Sequence, residues 1–225
     1  MTARPSWQPT LLMALTVVSG IVDAVSYLGL GHVFTANMTG NVVVLGFAAG
    51  GAPGFSAAGS LVSLAGFGAG AVLAGRFANA LAAHPARWRT GWALLAEAVL
   101  MAGAAAAAGA SRYAGIGVLA VAMGVRNATV RRMAVPDMTT TVLTMALTGL
   151  ASESRLAGGR GPRSLRRGGA ALAMAAGACA GAALVLRHGA APPLWATAAC
   201  VGVLAGACLA PAPWNRPPTP ARPPA

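Results

Sequence analysis

Lysine is absent from this chain, and all sixteen basic residues are arginine. Only four residues are acidic, and charged residues of every kind make up 9% of the 225 positions. A soluble domain usually carries about 25%. So few charges cannot solvate an ordinary globular surface, which excludes a soluble fold of normal construction. The three cysteines, Cys179, Cys200 and Cys208, fall inside apolar runs and show no pairing pattern or metal spacing. They read as small packing residues. His32, His84 and His188 are scattered without ligand spacing. No GxxxxGK[ST] or GxSxG segment is present. Nothing in the sequence points to ATP use, a hydrolase, a metal or any other cofactor, and no enzyme is expected.

What the chain does have is apolar length. Hydrophobic residues make up 56%, arranged in runs of about 20, the length that crosses a bilayer as a helix. Six long segments stand out, at 10–30, 58–77, 91–110, 113–130, 168–187 and 194–210. The first does not read as a cleaved signal peptide, because it is long enough to span and lacks a cleavage site. Two shorter apolar segments lie at 38–50 and 138–151. The expected fold is an all-α integral membrane protein, with one transmembrane domain over 1–210. The Pro-rich stretch 211–225, "PAPWNRPPTPARPPA", reads as a disordered cytoplasmic tail.

Arginine placement decides among span counts. If only the six long segments cross, fourteen arginines share one side and only Arg112 and Arg187 lie on the other. If all eight cross, the split is nearly even. The positive-inside rule favours six, with the arginine-rich side and both termini cytoplasmic. The net charge of +12 therefore reflects topology, not nucleic-acid binding. The basic loop at 155–167 is expected to lie against anionic lipid headgroups. The absence of lysine beside abundant Ala, Gly and Arg fits a bacterium with a GC-rich genome, and so a cytoplasmic (inner) membrane.

The two short segments resemble each other. "NMTGNVVVLG" at 37–46 aligns with "DMTTTVLTMA" at 137–146, and the helices that follow align Gly66, Gly70 and Arg76 with Gly177, Gly181 and Arg187. Each half reads as span, short segment, span, span, with repeat one at about 10–110 and repeat two at about 113–210. Three full spans per half is odd, so the halves are expected to be inverted. A helix starting inside the bilayer needs its free N–H groups capped. Asn37, Thr39 and Asn41 offer acceptors for one short helix, and Asp137, Thr139, Thr140 and Thr141 for the other. Two half-helices meeting near the midplane would aim their N-termini at a shared site. The other reading, full but short spans whose polar residues bond neighbouring helices, stays open.

Asp23, Glu97 and Arg126 lie within spans, where a charge costs at least about 2.5–3.5 kcal/mol. Rise per residue places Glu97 and Arg126 at similar depth, so they form an expected ion pair. Asp23 lies about 20 Å from the cytoplasmic end, too far to pair directly with Arg126, which leaves it neutral, hydrated or functional. Gly66-x-x-x-Gly70 and Gly177-x-x-x-Gly181 are close-packing motifs.

Two stretches, "GIVDAVSYLGLGHVFTANMTGNVVVLG" at 20–46 and "GVRNATVRRMAVPDMTTTVLTMALTGL" at 124–150, resemble the signatures of the YoaK-like family of bacterial inner-membrane proteins. That resemblance implies a multi-pass membrane protein over essentially the whole chain, of uncharacterised function, and supplies no catalytic residues. The expected function is secondary transport, or a channel-like path, for a small polar or anionic solute. Its site would comprise Asn37, Thr39, Asn41, Asp137, Thr139 and Thr140, with Asp23, Glu97 and Arg126 nearby. The rival is a scaffold or accessory subunit whose polar residues only hold helices together. A homo-oligomer is compatible with either.

Overall fold

The computed structural model describes residues 7–134, 143–154, 157–159 and 164–210. Among these the chain is all-helical, with eight helices: α1 (Trp7–Gly29), α2 (Met38–Ala49), α3 (Ala57–Ala80), α4 (Ala86–Ala110), α5 (Arg112–Met133), α6 (Leu143–Ser152), α7 (Ser164–His188) and α8 (Ala191–Leu209). Six of them, all but α2 and α6, are long and apolar enough to cross a membrane. These are the six long segments of the sequence. α2 has 12 residues and so rises about 18 Å, well short of a hydrocarbon core of about 30 Å.

Local chemistry sets the helix ends. Ser56 accepts the Gly59 N–H at 3.1 Å and starts α3. Ser111 alone separates α4 from α5, and it caps α5 by accepting the Ala114 N–H. Ala134 takes a left-handed conformation that stops α5. Prolines in the first turn of α8 cost no hydrogen bond there.

The core fills the space among α1, α4, α5 and α8, around Leu12, Val22, Met101, Leu119 and Val201. α1 lies along α7, α3 along α5, and α4 between α5 and α8. Glycine makes the first two contacts close. A Cβ at Gly70 would run into the Val121 carbonyl, and one at Gly124 into the Phe67 carbonyl. On the other pair, Gly177 meets the Val17 carbonyl and Gly20 the Met174 carbonyl in the same manner. Small residues let backbones approach where lipid offers no hydrophobic drive for helix association.

The two contacts do not follow the sequence alignment turn for turn. Gly70 meets a carbonyl of α5 as Gly177 meets one of α1, whereas the alignment pairs Gly70 with Gly181. Gly181 packs on Ile21 and Ala24 instead. In helices built of alanine and glycine, small residues recur every turn, so alignment by residue type slips by one turn without penalty. The short helices pack lightly: α2 rests on α3, and α6 on α7.

Candidate functional site: a buried polar centre where the first helix breaks

α1 ends at Gly29, and the chain crosses residues 30–37 without helix before α2 begins. Backbone groups in such a break need partners from elsewhere. Two side chains supply them. Asp23, buried on α1, accepts the Ala36 N–H at 2.9 Å, with the N–H groups of Thr35 and Asn37 also directed at its carboxylate. Asn41, with no solvent exposure, clasps the peptide groups of Phe34. Its Oδ1 accepts the Phe34 N–H at 2.9 Å and its Nδ2 donates to the Phe34 carbonyl at 2.6 Å. Ser63 of α3 donates to the same carbonyl at 2.7 Å and accepts from Asn41 Nδ2 at 3.1 Å. Tyr27 stacks on Phe34, with ring centroids 4.8 Å apart, and closes the break on one side.

A second cluster lies along α1. Arg126 and Glu97 are both fully buried and pair, the Arg126 Nε donating to Glu97 Oε1 at 2.7 Å while Nη2 meets the same oxygen. Arg126 Nη1 donates to Ser19 Oγ at 3.0 Å and to the Leu15 carbonyl at 3.3 Å. One guanidinium thus ties α5 to α4 and α1. Ser19 and Asp23 are four residues apart and share a helix face, so α1 presents both clusters along one stripe. Asp23 and Arg126 form no direct ion pair, as their depths required; the cationic charge acts on Asp23 only through space.

Among the described residues three buried oxygens have no hydrogen-bond partner: Thr35 Oγ1, Ser60 Oγ and Glu97 Oε2. Buried polar atoms are nearly always satisfied, so each such group calls for an explanation. Thr35 lies between the two residues that Asn41 and Asp23 hold. Ser60 is one turn before Ser63, on the same face of α3.

The structure distributes the expected site residues unevenly. Asp23, Glu97, Arg126 and Asn41 are buried at the centre. Asn37 stands at the N-cap position of α2, but its side chain makes no capping bond and is exposed, as is Thr39. The expectation that Asn37, Thr39 and Asn41 cap α2 is therefore corrected. Asn41 turns back to Phe34, whose buried peptide groups have no helical partner, and Asp23 takes the amides ahead of α2. Asp137, Thr139, Thr140 and Thr141 lie outside the described residues. Ser19, Thr35, Ser60 and Ser63 are additions that the sequence analysis did not single out. Serines at 60 and 63, at helical spacing within an apolar run, were the one available signal. Among the described residues no group of His, Cys, Asp and Glu could hold a metal ion.

The family described as protein of unknown function, DUF1275, matches residues 11–207, both signature stretches included. The chain belongs to the DUF1275 family. UPF0700 transmembrane protein YoaK of Bacillus subtilis (strain 168) is similar to it, with 34% identity over 160 residues, 67% of this chain and 68% of that protein. No solved structure matches the chain. The transmembrane name of that relative agrees with six apolar helices, and neither match brings an activity.

Proposed function

We propose that this protein is a secondary transporter, or a channel-like path, for a small polar or anionic solute across the bacterial cytoplasmic membrane. Both termini face the cytoplasm. The observation that carries this reading is the set of buried oxygens without a partner among the described residues, Thr35 Oγ1, Ser60 Oγ and Glu97 Oε2, beside the non-helical turn after α1 and three buried charges. Water or a polar solute passing through the centre would satisfy them. Non-helical backbone that turns back to membrane depth is tolerated only where it is buried in protein or lines a water-filled cavity. The likeness of the α1–α7 and α3–α5 contacts supports two inverted repeats, with Asp137, Thr139 and Thr140 as the second half's contribution to the site. The Asp23 carboxyl group already takes the amides ahead of α2. An anionic solute would have to displace it, which makes the Asp23–Ala36 bond a latch between states.

The rival reading is a scaffold or accessory subunit. It is favoured by Asn41 and Arg126, whose polar atoms find partners within the protein. Amide hydrogen exchange on the protein in lipid nanodiscs separates the two. The transport reading expects residues 34–37 to exchange at least about tenfold faster than residues 15–22 of α1, since a latch must open. Equal protection of both stretches would leave a permanently packed centre and favour the scaffold.

A further inference from the structure

We propose that the cleft where α3, α4 and α5 meet at the arginine-rich end binds one anionic phospholipid, phosphate inward and one acyl chain along the protein. This inference is independent of the transport reading. Two adjoining cavities carry it. The first, about 240 Å³, is lined by Arg89 and Thr90 at the start of α4, Thr129 and Arg132 at the end of α5, and Gln8 of α1. Among the described residues no carboxylate lines it. Arg89 Nε is shielded from solvent and has no partner among the described residues. Arg132 is braced by the Asn79 side-chain oxygen at 3.0 Å and the Gly75 carbonyl at 3.3 Å, which fixes a second guanidinium at the rim. Guanidinium groups match phosphate oxygens with parallel N–H donors.

The second cavity, about 630 Å³, is apolar and shares Ala74, Phe77 and Ala93 with the first. The two form one channel with a cationic head and a hydrocarbon floor. Ala74, Ala93 and Val125 are buried in that floor, while Leu73, Trp92 and Val99 on its rim stay exposed. Along α4 the channel runs from Arg89 to Leu100, about 16 Å of helix. That is roughly one leaflet of a 30 Å core. His84 stacks on Trp88 at 4.7 Å, and Trp88 meets Trp92 edge-on at 5.7 Å. Such an aromatic ladder marks the headgroup level and puts Arg89 at phosphate depth. A free anion would use the head alone. The leaflet-length apolar groove joined to it selects a lipid.

Native mass spectrometry of the full chain tests the assignment. Detergent-solubilised protein is offered equal phosphatidylglycerol and phosphatidylethanolamine with identical chains. One phosphatidylglycerol should be retained over phosphatidylethanolamine by about tenfold or more. Arg89→Gln with Arg132→Gln should abolish that preference. Ala96→Phe, which fills the groove and leaves both charges, should weaken retention of both lipids. Millimolar inorganic phosphate should not displace the lipid. Equal retention of the two lipids by the wild-type chain would overturn the proposal and needs no variant. Displacement by phosphate alone would leave a free-anion site and overturn the lipid assignment. Retained preference in the double-arginine variant would do the same.

Discussion

At the residue scale, Arg126 is the most demanding group in the molecule: a guanidinium with no exposure, held by one carboxylate and two α1 oxygens. Removing one partner of a buried pair leaves the other charge uncompensated, at a cost of about 3–5 kcal/mol. Glu97→Met is therefore expected to lower the melting temperature sharply in a detergent thermal-shift measurement. Glu97→Met combined with Arg126→Met should recover most of the loss, because well-packed apolar replacements can equal a buried ion pair. If the double variant is as unstable as the single one, the pair's geometry is holding more than its own charges. Asn41→Ala strips the Phe34 N–H of its partner and should cost about 1–3 kcal/mol by the same measurement. These two sites differ in how legible they were. The Glu97–Arg126 meeting followed from depth alone, since both helices cross one slab and rise is fixed per residue. Asn41 read as a helix cap, because which backbone it would bond depends on how the chain folds back at Phe34. That fold-back is tertiary and leaves no local pattern.

At the element scale, six helices were readable because crossing a bilayer demands length and apolarity, and both are written in composition. The shortness of α2 was equally plain. Less legible was the seating of α3 on α5 and of α7 on α1, where glycines repeating every turn permit more than one register. Gly70→Leu and Gly177→Leu each drive a side chain into an opposing carbonyl. Each is expected to cost about 1–3 kcal/mol or more and to shift the protein toward aggregate in size-exclusion chromatography. Gly46→Ala in α2 is the control. A Cβ there meets nothing within 4 Å, so its elution and melting should match the parent chain. Equal damage from all three would count against close approach as the cause, since leucine and alanine both favour the helix over glycine.

At the scale of the whole molecule, the fourteen-to-two division of arginines is expected to set orientation. Reporter fusions check it: the C-terminus and the 82–85 turn should report cytoplasm, and the 189–190 turn the opposite face. The same arginines concealed the lipid cleft from the sequence. Arg89 and Arg132 read as topology signals among many, and only the packing of α3, α4 and α5 separates them from the rest. The most direct measurement of the interior places a cysteine at Ser60, buried beside the helix break, in a chain lacking Cys179, Cys200 and Cys208. Oriented membranes are then treated with a small membrane-impermeant thiol reagent from each face in turn. A path that opens to both sides predicts reaction from either face, more slowly than at exposed Asn37→Cys. A Ser60→Cys chain that stays inert from both faces while Asn37→Cys reacts would contradict it, and the polar centre would then be a fastening between helices.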